Sequence, residues 1–295
     1  MKNCLLFALL LLPFCAHSQI NVADSTVQVI GYWDRNEKHT YDIEYQKSRV
    51  KGKDTTVTQT ITYKVDITVV DSTAKSYTIE WKYRDYKITG KSVLTDKVSK
   101  LGEGLTVRFK TDEMGSFAEL LNWKDIKKHN EAALKALQKE TKLPPELFKA
   151  INKLSTKEAI EANSIKDVLQ FHTFFGVALK YGEPIENTSE DASRLGNTAV
   201  KSEYTLELSE INNEDANYLV KFWQTFNPDD INAVIGSVLG EYTGNEINGT
   251  VIATAMEDYC GGMMHDSGWP IDMFYQRTLE IKAETFLETR SITLE

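Results

Sequence analysis

Between Tyr41 and Ile88 apolar and polar residues alternate with few breaks, and this period of two constrains the fold more than any other feature of the chain. Ile61, Tyr63, Val65, Ile67 and Val69 fall on one side, with Thr60, Thr62, Lys64, Asp66 and Thr68 on the other. Tyr77, Ile79, Trp81 and Tyr83 repeat the pattern against Thr78, Glu80 and Lys82. Successive side chains of a strand point to opposite faces, so the segment reads as strands with one dry face and one wet face. Polar turn-formers at Lys51-Gly52-Lys53-Asp54 and Asp71-Ser72-Thr73 break it at hairpin spacing, which makes it an antiparallel meander. A further hairpin is expected from Leu105 to Trp123, turning at Asp112-Glu113-Met114-Gly115.

The period then changes to 3.6. Ile126, Ala133, Leu134 and Leu137 share one helical face. Pro144-Pro145 ends that helix and starts a short one carrying Leu147, Phe148, Ile151 and Leu154. Ser155 and Glu158 have the spacing of a capping box for a third, whose stripe continues through Ile165, Val168, Leu169 and His172. The polar stretch 182–196 is expected to be an acidic loop between an N-terminal part, 19–181, and a C-terminal part, 197–295. Strands are expected to resume at Tyr204–Leu208 and Tyr218–Phe226. A helix follows in which Asn227 caps, Pro228 takes the first position, Asp229 and Asp230 complement the dipole, and Ile231, Val234, Ile235 and Val238 form the stripe. Strands at 249–260, 270–281 and 285–294 complete the pattern. Helices grouped between runs of strands, without regular β-α alternation, indicate an α+β fold. The one-sided helices need a partner and the one-sided strands provide it. The expected architecture is a curved antiparallel β-sheet, half-barrel-like, packed around the inserted helices, with the two parts either separate or one continuous domain.

Residues 1–18 read as a signal peptide: Lys2 is the basic end, Leu5 to Phe14 the apolar run, and Ala16-His17-Ser18 the cleavage motif, with the cut between Ser18 and Gln19. The run is roughly half the ~20 residues that a membrane span requires. Phe14 before Cys15 is too bulky for a lipid-anchor motif. The chain is therefore expected to be exported, periplasmic or extracellular, and soluble after cleavage. With 34 basic and 43 acidic residues its net charge is −9, so it has no electrostatic footprint for nucleic acid. Of three cysteines only Cys260 lies beyond the signal, which excludes an intramolecular disulfide in the mature chain.

Catalytic and nucleotide signatures are absent: no Gly-x-Ser-x-Gly, His-Glu-x-x-His, Walker loop, Gly-x-Gly-x-x-Gly or Cys-x-x-Cys occurs. The expectation is a non-enzymatic protein with no cofactor. A hydrolase with dispersed residues ranks third, behind ligand binding and protein interaction. His172 lies on an apolar stripe and reads as a core residue, His129 as part of a solvated face, and His39 has no recognisable partner. Cys260, Met263, Met264 and His265 bring a thiolate, two thioethers and an imidazole within six residues, a soft donor set of the kind that selects Cu(I). The competing reading is a glycine-rich hairpin loop. Tyr63, Tyr77, Trp81, Tyr83 and Trp269 are the candidate contacts for an apolar small molecule or lipid. An envelope protein is the alternative partner.

The aromatic meander, the turn Asp112-Glu113-Met114-Gly115-Ser116-Phe117 leading into Leu121-Asn122-Trp123, and the closing Ser267-Gly268-Trp269-Pro270 hairpin together resemble a group of secreted bacterial envelope proteins of unknown function. At fold level the chain is also similar to the half-barrel lipoprotein carriers of the bacterial periplasm. That resemblance implies a curved sheet cupping helices around an apolar cavity, and it transfers no individual residue.

Overall fold

The computed structural model describes residues 19–90, 102–140, 156–192, 199–243 and 253–295. The fold is α+β and dominated by antiparallel strands. Short strands β1 (Ile20–Asn21), β2 (Thr26–Gln28) and β8 (Ala178–Lys180) form a small sheet. All other strands among the described residues belong to one open eleven-stranded sheet. Its first meander comprises β3 (Lys38–Lys51), β4 (Asp54–Thr73), β5 (Ser76–Gly90), β6 (Thr106–Asp112) and β7 (Phe117–Leu120). Its second comprises β9 (Ile185–Ala192), β10 (Ala199–Asn212), β11 (Asn217–Phe226), β12 (Ala253–His265), β13 (Pro270–Ile281) and β14 (Glu284–Leu294). The order is β7-β6-β5-β4-β3-β14-β13-β12-β11-β10-β9, so every neighbouring pair is consecutive in sequence except β3 and β14. The alternation that predicts the first meander is the alternation of burial: Val65, Ile67, Val69, Ile79 and Trp81 are all buried.

Helices α1 (Trp123–Glu140), α2 (Lys157–Asn163) and α3 (Lys166–Phe171) lie between the meanders in sequence. Thr156, rather than Ser155, caps α2, its hydroxyl accepting from the Ala159 amide at 3.1 Å. The stripe expected to continue without a break instead divides into two short helices. The expected helix around Leu147 to Leu154 lies outside the described residues. Helix α4 (Pro228–Thr243) starts as expected, with the Asn227 side chain accepting from the Asp229 and Asp230 amides. It packs Ile231 and Val234 against Val200, Ala253 and Met256 as a satellite core. Met256 and Cys260 are four apart on β12 and share a face, so α4 and the main core lie on the same side of the sheet.

Two segments differ from the sequence reading. The stretch 182–196 is not a loop throughout: Ile185 to Ala192 pair in register with β10 as an edge strand. From Glu186 to Glu190 its polar side chains are exposed except for the half-buried Ser189, and they suit an edge because charge there blunts pairing with other chains. The Cys260–His265 stretch is likewise no loop but the end of β12, between β11 and β13.

A cluster of aromatic rings lies within the main core. Trp33 packs against Tyr77, Phe175 and Trp269 with ring centroids 5.1 Å apart in each pair. His172 is enclosed by Trp33, Phe109, Phe171 and Phe175. Its Nδ1 lies 2.7 Å from the Gly115 carbonyl, so Nδ1 carries the proton and donates. Burial pushes its pKa down to about 4, with the Gly115 carbonyl and Asp112 opposing more weakly. An imidazole harder to protonate in the folded chain than its ordinary value of 6.5 makes the unfolded chain the better proton binder below that value. Stability is intact above about pH 6.5 and falls as the pH drops toward 4. At pH 5 the expected loss from this residue is about 2 kcal/mol relative to pH 7. Urea unfolding at both pH values should show a smaller acid loss in His172→Phe than in the parent; equal losses would refute the assignment.

Candidate functional site

Helix α3 is the centre of the site. Its spacing sends Asp167, Gln170 and Phe171 toward the sheet at i, i+3 and i+4, and all three are buried. Phe171 seats the helix by edge-on contact with Tyr41 at 5.2 Å and Trp81 at 5.3 Å. The Asp167 carboxylate then meets two strands at once. Tyr63 on β4 donates to Oδ2 at 2.8 Å, Tyr83 on β5 donates to Oδ1 at 3.0 Å, and the Val168 amide donates to Oδ1 at 3.0 Å. Burial, and then the Asp167 charge, hold both phenols well above the usual tyrosine range, so they remain protonated donors. Tyr86 stacks on Tyr63 with ring centroids 4.6 Å apart and planes within 5°.

One turn further along, the Gln170 carboxamide faces Arg290 of β14. Arg290 Nη1 donates to Gln170 Oε1 at 3.3 Å, and its guanidinium lies 5.3 Å from the Tyr45 ring centroid. Tyr45 and Tyr275 flank Arg290 in register on β3 and β13. Arg277 on β13 is clamped by both oxygens of Asp258 on β12, at 2.7 and 2.5 Å. Burial pushes the Glu288 carboxyl up, but the bond from Tyr45 and the charges of Lys166, Lys47 and Arg290 outweigh it and hold the group below its usual range.

Two cavities flank this arrangement. One, of about 220 Å³, lies between α3 and strands β11 to β14, with an apolar wall of Leu169, Phe222, Cys260 and Tyr275 and the charged groups Arg277, Glu288 and Arg290. The other, of about 200 Å³, is bounded by Tyr63, Tyr83, Tyr86 and Asp167. Lys166 and Arg290 line both.

The sequence-predicted residues divide across this geometry. Tyr63 and Tyr83 line the second cavity. Trp81 is fully buried in the core. Tyr77 donates to the Gly31 carbonyl at 2.7 Å, and Trp269 donates through Nε1 to Glu37 Oε1 at 2.7 Å, so both tie the N-terminal segment to the sheet. The soft donor set is not gathered. Cys260 and Met264 are buried on the inner face, whereas Met263 and His265 alternate to the other. His265 Nδ1 accepts from the Ser267 amide at 3.1 Å. Gly262 is explained by packing: a Cβ there would lie 2.8 Å from the Phe174 ring. Burial pushes the Cys260 thiol up to about 12, which keeps it a poor metal ligand. Among the described residues no group of three or more His, Cys, Asp or Glu is placed to hold a metal ion. His39 lies 3.2 Å from Glu37 and packs on Trp269.

Sequence reasoning missed Asp167, Gln170 and Arg290. A signal exists for the last: Arg290 shares its strand parity with Ile292, a core residue, so it is a cation at an inward position.

No protein-family model matches the chain, and no curated protein matches it. Among solved structures it is similar to lipovitellin in a study of lipid–protein interactions, at 10% identity and TM-score 0.45 over 89% of this chain and 25% of that one. The chain thus spans a quarter of lipovitellin's length. It is also similar to a Bacteroides fragilis protein classed as exported, with a YmcC-like fold, at 9% identity and TM-score 0.25 over 91% of this chain and 99% of that one. A Parabacteroides distasonis protein classed as a lipoprotein matches at 7% identity and TM-score 0.26 over 91% of this chain and 100% of that one. These are likenesses of fold alone. No helix among the described residues is long and apolar enough to cross a membrane.

Proposed function

We propose that the chain is an exported, non-enzymatic binding protein that holds a small amphipathic, lipid-like ligand between α3 and the second meander. The observation that carries this reading is the roughly 220 Å³ cavity, whose one wall is Leu169, Phe222, Cys260 and Tyr275 while charged groups close the other. A concave site with an apolar wall and few convergent polar groups is the usual form of a small-molecule site. The half-barrel reading of the sheet draws support from α3, which touches Tyr41 and Trp81 of the first meander and Arg290 of the second. The ligand reading is narrower than an apolar cavity lined by strand aromatics, because Trp81 and Tyr77 serve the core. Native mass spectrometry of the chain from its own envelope should show a co-purified adduct that is lost in Phe222→Glu. No adduct, together with no binding of any added amphiphile, would end this reading.

A second reading rests on the opposite face of the sheet. Trp223, Tyr259 and Phe274 form a band there, with Trp223 37% and Phe274 36% exposed. An exposed aromatic band is a feature of protein-interaction surfaces, and this reading makes the chain a structural component of the envelope. Cross-linking from position 223 in native envelope would capture one defined partner if it is correct, and none if it is not.

A further inference from the structure

Each carboxylate around the α3 site already has a hydrogen-bond partner other than Arg290. Asp167 is held by Tyr63 and Tyr83, Asp258 by Arg277, and Glu288 by Tyr45. Arg290 is treated differently. It is only 9% exposed, yet among the described residues no carboxylate lies within ion-pair distance of it, and its Nε meets no acceptor. Its one side-chain hydrogen bond is to a neutral amide, Gln170 Oε1 at 3.3 Å. A buried guanidinium has five donors and no means of losing its charge; Asp167 and Glu288 act on it through space and the Tyr45 ring faces it, but its Nε is left without an acceptor, at about 1–3 kcal/mol. The cost is tolerated at a position where Arg290 lines two cavities at once, with Lys166 beside it in both.

We infer that Arg290 is the anchor for an anionic headgroup, a carboxylate or a phosphate, of the ligand whose apolar part lies along Leu169, Phe222 and Tyr275. This rests on the binding function proposed above and adds the charge of the ligand and the residue that reads it. The guanidinium fork suits both anions, since either presents two oxygens at the spacing of its N–H groups.

The test is calorimetric titration of the mature chain with octyl phosphate, octanoate, octanol and inorganic phosphate, each also against Arg290→Met and Gln170→Glu. The second variant places a carboxylate at the position of Gln170 Oε1, so Arg290 acquires an internal charged partner in exchange for the long 3.4 Å bond from Gln170 Nε2 to the Arg290 carbonyl. The parent should bind an anionic octyl compound at least about tenfold more tightly than octanol. Both variants should lose that preference, read in each variant as the ratio of its affinity for the anionic compound to its affinity for octanol, and Gln170→Glu should melt at or above the parent's temperature. Comparing octyl phosphate with octanoate identifies which anion is read. A preference that survives in both variants, or is missing from the parent, would overturn the assignment of Arg290 and leave the amphipathic cavity standing if octanol binds. Inorganic phosphate binding as tightly as octyl phosphate would do the reverse, keeping Arg290 as anion anchor and removing the apolar contribution. Binding of none of the four compounds would overturn both.

Discussion

Asp167→Leu is expected to destabilise the protein by about 3–5 kcal/mol, read as a lower urea midpoint at unchanged slope. Asp167 is 5% exposed, and its carboxylate accepts from two buried phenols and a backbone amide. Removing it leaves Tyr63 and Tyr83 with hydroxyls that have lost their acceptor in the interior, at about 1–3 kcal/mol each. The pairing predicts its own rescue. Tyr63→Phe or Tyr83→Phe should each cost about 1 kcal/mol alone, because Asp167 keeps another donor. In the Asp167→Leu background the same substitutions should restore stability, since they remove groups that have no partner. Additive losses in that double-mutant cycle would show that the three groups do not act as a unit.

Gly268→Val should be comparably severe, costing about 3–5 kcal/mol by strain and overpacking together. Gly268 sits at φ +85°, where a β-branched residue is strained, and a Cβ would lie 2.3 Å from the Ile30 carbonyl and 2.9 Å from the Tyr32 nitrogen. Those contacts are backbone atoms, so no side-chain rotation relieves them. The segment 30–32 must move, and with it the hydrogen bond from Trp33 Nε1 to the Gly268 carbonyl at 3.1 Å. Near-ultraviolet circular dichroism should report the loss of the Trp33–Trp269 packing alongside the lower midpoint. A native spectrum and an unchanged midpoint would contradict the proposed contact.

The two kinds of signal in the chain were not equally readable. Period-two alternation places Val65, Ile67 and Trp81 on a dry face because a strand's geometry leaves no other choice. Asn227 and Pro228 mark the start of α4 because a helix end needs those chemistries. Strand β9 escaped because an edge strand borrows its structure from β10 and needs no apolar residues of its own. The Cys260–His265 stretch escaped for the opposite reason: two glycines signal a loop, whereas here Gly262 makes room for the Phe174 ring. The site was least legible. Asp167, Gln170 and Arg290 come from a helix and a strand 120 residues apart in the case of Gln170 and Arg290, and no local pattern joins them. The spacing of His172 with Ile165, Val168 and Leu169 makes it a core residue, and its four aromatic neighbours place it there.

The order of strands also sets a timetable for folding. Each meander is built from hairpins whose partners follow one another along the chain, so each can zip up from local turns soon after its residues are available. The seam between β3 and β14 is different in kind: Arg49 and Glu284, which form an ion pair diagonally across it, are 235 residues apart. Closing so long a loop is entropically slow, and until it closes β3 and β14 each present an unprotected edge. The same seam carries Arg290 beside Tyr45. Because Phe171 seats α3 on Tyr41 and Trp81 of the first meander while the strands of the cavity belong to the second, the cavity should form only after the seam closes, and a slow phase in refolding should coincide with the first appearance of ligand binding.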